Sequence, residues 1–350
     1  MGLFRMILAI SVLIAHIDDM PGDSIVSRKL LGINIWSGHA VFAFFIISGF
    51  YMSLVINEKY IQSEKGVSRF YLNRALRLYP IHWATLSLYA VLFFCLNVPS
   101  FLIGEDYGKP WLFTWSCFSN TTFFGVEWIP LFNADGWKFV IGPVWSLGVE
   151  ISFYLVAPFI VAKKLKILVA LTIVFILFRF SLYFFGVKLL PWRYFFFPAD
   201  FCFFLLGSIS YRIYAARERI RGWRILGVVS AAVLIFCNFY EPLWTAPDLD
   251  KWQSWCFFLL VWISTPFLFS LTQKNTIDNW IGQLTYPVYM VHMLVITTIS
   301  LAYHGRMDKG VLAFLGTLIL AIALYSFIDH PIERIRRKVI RRGSFQSSGD

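Results

Sequence analysis

The sequence predicts an all-α membrane protein of about ten transmembrane helices, with both termini in the cytoplasm. Three observations carry that expectation. Apolar residues make up 58% of the 350 and charged residues only 15%, whereas a soluble domain is about a quarter charged. Apolar runs of about 20 residues recur along the chain, the length a helix needs to cross a ~30 Å hydrocarbon core. The basic residues fall between those runs. Helices suit such a chain because lipid offers backbone N–H and C=O groups no partners.

The apolar runs place helices at about 3–20, 35–56, 78–97, 143–162, 167–186, 194–214, 225–241, 252–272, 281–300 and 310–328. The first, "MGLFRMILAISVLIAHI", has the length of a signal peptide but lacks a small-residue cleavage site, and is read as a membrane helix. The second carries "FFIISGFYM", Phe44 to Met52, where Ser48 and Gly49 allow a close helix approach. The third follows "RFYLNRALRLYP", with Pro80 helping to start it. Residues 98–142 read as an outer loop with an interfacial or re-entrant piece. Its Trp111, Trp115, Trp128 and Trp137 suit the headgroup level. The fourth helix contains "VWSLGVEISFYLVAP", the fifth Arg179, the sixth Asp200 and the ninth "LTYPVYMVHMLVI".

Ten crossings put both termini on one side. With the odd-numbered helices running outward, 21 of the 31 Lys and Arg residues lie on the inner side and nine on the outer side. The positive-inside rule then makes the termini cytoplasmic. Residues 1–330 form one transmembrane domain and 331–350 a basic cytoplasmic tail. The net charge of +11 is thus topogenic and does not mark a nucleic-acid-binding surface. Four of the five cysteines fall within apolar runs and Cys117 stands in the loop, so they read as small hydrophobes, not a disulfide framework.

Ionisable groups at membrane depth are costly and point to function. Arg5 and His16 are 11 residues apart, about 20° past three full turns, so they share a face roughly 16 Å apart along the axis. Arg74 and Arg77, at i and i+3, share a face at the inner interface and suit bidentate phosphate binding. Glu150 lies about 10 Å inside the outer end of the fourth helix. A bare carboxylate there needs a partner, and His16 approaches from the same outer half. A Glu150–His16 pair would orient the imidazole as a general base. Trp145, Ser146 and Tyr154 offer further polar tips beside Glu150. Tyr286, Tyr289 and His292, at i, i+3 and i+6, cannot all face one cavity. Arg179 and Asp200 read as structural or lining groups. Ser48 lacks a G-x-S-x-G elbow, which favours small-residue packing over a nucleophile. No Walker loop, H-E-x-x-H or C-x-x-C pattern occurs, and no metal is expected.

These motifs, in this order, resemble the acyltransferase-3 family of integral membrane acyltransferases, over nearly the whole chain. The matching positions are Arg5 and His16 (Arg-x10-His), Arg74 and Arg77 (Arg-x-x-Arg), Phe44 to Phe50 (FFxxSGF), Trp145 to Pro158 (WSLxxExxFYLxxP), and Tyr286, Tyr289 and His292. The end "IDHPIERIRR" departs from the family pattern, with Asp329 and His330 where a Glu and a basic residue are more usual. The resemblance implies a cytoplasmic acyl-CoA donor, usually acetyl-CoA, and an acceptor hydroxyl on an extracytoplasmic or lipid-linked sugar. It implies that Arg5, Arg74 and Arg77 hold the CoA phosphates while His16, assisted by Glu150, serves as base. Ser48, Trp145, Ser146, Tyr154, Tyr286 and His292 would line the passage. The location would be the bacterial inner membrane. Two other readings stay open: a transporter or flippase without acyl chemistry, and an acyltransferase for a small-molecule acceptor.

Overall fold

The structure, a computed structural model, describes residues 1–20, 24–26, 32, 35–61, 65–96, 110–132, 139–239 and 248–336. These hold helices and connections and no β-strand. The main helices are α1 (Gly2–Asp18), α2 (Ser37–Val55), α3 (Gly66–Leu96), α4 (Pro110–Thr122), α5 (Val144–Ile160), α6 (Leu165–Phe184), α7 (Phe197–Ala215), α8 (Trp223–Phe239), α9 (Trp252–Thr272), α10 (Thr276–Ala302) and α11 (Lys309–Leu324). A helix stands at each predicted run. Six helical spans are long and apolar enough to cross a membrane: 37–60, 66–95, 165–184, 252–272, 276–302 and 309–336. Val144–Ile160 and Trp223–Asn238 are apolar but shorter.

One boundary differs instructively. Pro80 does not start the third helix; it lies inside α3, which begins at Gly66. Hydropathy marks where side chains enter lipid, whereas the hydrogen-bonded helix extends into the polar stretch before it. Arg74 and Arg77 are therefore held rigidly within a helix. At the other end of the chain, α11 runs into a π-helical turn at Tyr325–Asp329 and the helix continues to Arg336. The basic tail from 337 onward, and Trp137, lie outside the described residues.

The core centres on α2, which packs against α7, α1, α9 and α5. Its residues are buried on nearly all sides, as a helix enclosed by others should be. The α2–α7 contact is reciprocal. A Cβ on Gly49 would collide with the Phe204 carbonyl, and one on Gly207 with the Ile46 carbonyl. Two glycines thus let the backbones touch, as small residues do where lipid gives helices no hydrophobic reason to associate. The first turn of α1 is fixed by α10, because the Gly2 and Leu3 N–H groups donate to Asp278 at 2.7 and 2.9 Å.

Arg179 and Asp200 form a buried ion cluster. Arg179 Nε donates to Asp250 at 2.5 Å and Nη1 to Asp200 at 2.7 Å. Its guanidinium also lies 5.0 Å from the Phe42 ring and 5.1 Å from the Phe203 ring. Arg193 bridges to Asp250 as well. The cluster ties α6 to α7 and to the segment entering α9.

Of residues 98–142, the described part before α5 is α4 followed by short helical turns, folded against α3 and α5. Tyr79 Oη donates to the Thr122 carbonyl at 2.7 Å, and His82 Nε2 meets the Asn120 carbonyl at 2.8 Å. Ser152 Oγ donates to Glu127 at 2.6 Å. Trp111 and Trp128 stay exposed.

Candidate active site

Helices α1, α2, α3, α5 and α10 enclose a cavity of about 440 Å³. One end carries guanidiniums: Arg5 from α1, Arg74 and Arg77 from α3, and Arg336 from the helical turns after α11. The three-residue spacing of Arg74 and Arg77 puts both on one face of α3, and that face lines the cavity. Arg74 Nε is buried and has no hydrogen-bond partner. The Arg5 guanidinium lies over the Tyr51 ring, 5.8 Å from its centroid. Tyr286 Oη donates to the Leu78 carbonyl at 2.8 Å, which anchors α10 to α3 one residue past Arg77.

Further in, Glu150 projects from α5 towards α2. Ser48 Oγ donates to Glu150 Oε1, and Tyr154 Oη donates to the same oxygen at 2.6 Å. Tyr154 is one helical turn from Glu150, so the shared face is dictated by spacing. Ser48 reaches it from the helix that Gly49 lets close on α7. Glu150 therefore does not pair with His16. That expectation is corrected, because Glu150 faces α2 one turn below Ser146, whereas His16 lies beyond the cavity's far end.

At that far end a hydrogen bond between Ser146 Oγ and Tyr289 Oη at 2.8 Å spans from α5 to α10 as a partition, with Phe44 against the Tyr289 ring at 6.1 Å. Past this partition stand two stacked imidazoles. His16 and His292 have ring centroids 5.4 Å apart and planes 24° apart. His292 Nδ1 meets the Tyr289 carbonyl at 2.8 Å. A carbonyl only accepts, so Nδ1 carries the proton and Nε2, buried and without a partner, presents its lone pair. His16 Nδ1 is 3.8 Å from Asp19, an ion-pair separation longer than a hydrogen bond. The His16 side chain is 38% exposed, whereas His292 is buried.

The structure thus brings together Arg5, Ser48, Arg74, Arg77, Ser146, Glu150, Tyr154 and Tyr286 in one cavity. It leaves three expected residues off its wall. His16 and His292 lie behind the Ser146–Tyr289 partition. Trp145 packs on Tyr194 and Phe195, with centroids 4.7 and 4.8 Å away, because one residue from Ser146 is about 100° around the helix. Sequence reasoning overlooked Tyr51 and Arg336. Tyr51 is three residues from Ser48 and could have been placed on its face. Arg336 gave no signal apart from the other tail charges.

Comparison with known proteins agrees with this arrangement of motifs. The acyltransferase-3 family model, described as an acyltransferase domain, matches residues 1–326. Nodulation protein 10 of Rhizobium leguminosarum bv. viciae is 24% identical over 341 residues, covering 88% of this chain and 85% of that protein. Acyltransferase MdmB of Streptomyces mycarofaciens is 27% identical over 162 residues, covering 44% of this chain and 36% of that protein. No solved structure matches the chain. The match spans all but the last 24 of the 350 residues, and the chain belongs to the acyltransferase-3 family of membrane acyltransferases.

Proposed function

We propose that the protein moves an acyl group, acetyl in the first instance, from cytoplasmic acyl-CoA to a hydroxyl of an extracytoplasmic or lipid-linked sugar. In this reading both termini are cytoplasmic, the chain crosses a bacterial inner membrane about ten times, and the donor enters from the Arg74–Arg77 end. The observation that carries it is the cavity itself. Its cationic end fits a polyanion, and one hydrogen-bonded partition separates its far end from a pair of imidazoles. The buried, unpartnered Nε of Arg74 is a donor left for a ligand that brings acceptors. Guanidiniums match phosphates in planar, two-pronged pairs.

The pantetheine arm would run from the phosphates past Tyr51 and Glu150, laying the thioester against Ser146 and Tyr289. The acceptor approaches from the opposite side, where His16 is the accessible ring, and its hydroxyl displaces the Ser146–Tyr289 hydrogen bond to reach the thioester. His16 takes the proton of the acceptor hydroxyl as its oxygen attacks the thioester carbonyl. The C–S bond breaks and CoA leaves as the thiolate into the cationic end. His292 stacks behind His16 and fixes its plane. Glu150 cannot orient His16; it instead holds Ser48 and Tyr154 and offsets the charge of Arg5. "FFIISGFYM" is then a wall of the donor passage.

The test uses purified protein in nanodiscs with labelled acetyl-CoA and a glycan acceptor. Wild type should release CoA in proportion to acylated acceptor, and Arg77→Ala should raise the apparent KM for acetyl-CoA. A protein that moves the acceptor across the membrane without releasing CoA is a transporter and ends this reading.

A further inference from the structure

Arg336 belongs to the same cavity as Arg5, Arg74 and Arg77, although it comes from the far end of the chain. It lies in the helical turns that follow the π-helical turn at Tyr325–Asp329. A π-turn adds one residue to a helical turn and re-aims everything after it. Tyr325 Oη, at its start, donates to Gln283 at 2.5 Å, and Gln283 lines the cavity. The final turns are thus docked on α10 and are not a free extension.

The four guanidiniums are ordered in depth. Arg5 interacts electrostatically with Glu150, Tyr154 and Arg77. Arg336 interacts most strongly with Arg77, Glu333, Arg74 and Asp329. Arg77 is common to both sets. Arg77 adjoins Leu78, whose carbonyl holds Tyr286 one turn from Tyr289. Arg74 lies one helical turn further back along α3, where Asn73 donates to Tyr60. Arg336 and Arg74 both neighbour Tyr60, so the row runs from Arg5 and Arg77 through Arg74 to Arg336, away from the partition. Arg336 is only 13% exposed and its Nε is buried with no hydrogen-bond partner. Nη2 is held by Glu333, one helical turn away. A cation this enclosed, with Arg77 and Arg74 beside it, is offset only in part by Glu333 and Asp329.

We propose that Arg336 binds the ribose 3′-phosphate of the CoA donor, which takes the place of the Glu333 carboxylate on that guanidinium. The inference rests on the donor reading above. In CoA the thioester and the 3′-phosphate stand at opposite ends, with the pyrophosphate between them. Laying the thioester at Ser146 and Tyr289 puts the pyrophosphate among Arg5, Arg77 and Arg74 and leaves the 3′-phosphate for Arg336. The C-terminal turns would then act as a sensor that separates CoA from carriers lacking this group.

The test compares CoA with 3′-dephospho-CoA, by calorimetry, on full-length protein in nanodiscs of zwitterionic lipid. Wild type should bind CoA about tenfold more tightly, the scale of one charge-assisted contact. Arg336→Gln should bind the two alike, while Arg77→Ala should weaken both and keep the preference. The ratio within one preparation does not depend on how much of a variant is folded. A preference retained in Arg336→Gln, or absent from wild type, overturns the inference and leaves the donor reading standing. The former result is also what a lipid-headgroup role for Arg336 would give. If wild type binds neither ligand, the donor reading fails and takes this inference with it.

Discussion

His16 and Glu150 share one feature, an ionisable side chain in an apolar helix, and the structure gives them different neighbours. Glu150 has two donors, Ser48 and Tyr154; His16 has a stacked imidazole and an exposed edge. His16→Ala should therefore lower the transfer rate by about 10²–10⁴, the usual range for a general base, in initial-rate assays of protein that remains folded. Ser48→Ala removes one hydrogen bond, worth about 1 kcal/mol, and should cost no more than about tenfold in the same assay. A loss in Ser48→Ala as deep as in His16→Ala would make Ser48 a nucleophile. Ser146→Ala tests the partition: water should then reach the thioester, and acceptor-independent hydrolysis of acetyl-CoA should rise.

Glu127 gives a pH-dependent prediction at the same scale. It lies outside the long membrane helices, wholly buried in the hairpin, and burial pushes its carboxyl up to about 7. Its folded value is raised above the unfolded one, so its contribution to stability is fully present below about pH 4.5. That contribution is lost as pH rises through about 7. Glu127→Gln should flatten the fall in Tm across this window, measured by thermal unfolding in detergent at a series of pH values.

At the scale of elements, the α2–α7 contact depends on two hydrogens. Gly207→Val would drive a branched side chain into the Ile46 carbonyl, and over-packing of this kind costs about 1–3 kcal/mol or more. A lower Tm is expected, with reduced transfer because Ser48 and Gly49 shift away from Glu150. An unchanged Tm would mean the helices part without cost. The extent of α3 belongs to this scale too. Its apolar run was readable, but its twelve polar-side residues from Gly66 were not, because a helix outside lipid carries no hydropathy signal.

For the whole molecule, the ion cluster of Arg179, Asp200 and Asp250 fastens helices that lipid alone would leave loosely associated. Asp250→Asn strands part of a buried guanidinium charge and should destabilise by about 3–5 kcal/mol. The KM of the folded fraction for acetyl-CoA should not change, since the cluster lies away from the cavity. The shape of the cavity is likewise a property of the assembly. It draws lining residues from α1, α2, α3, α5 and α10 and from the turns after α11, so no single segment contains it.

By itself the sequence determined the membrane class, the positions of the helices and the polar residues worth asking about, because hydropathy and spacing are local properties. It also put Arg74 with Arg77, and Glu150 with Tyr154, since each pair lies on one helix face. The tertiary structure alone decided which of these meet across helices. Ser48, not His16, reaches Glu150; His292 stacks on His16; and Arg336 joins a cavity begun by Arg5. Those contacts depend on helix rotation and depth, which are set by glycine-to-carbonyl packing and a π-turn between residues far apart in the chain.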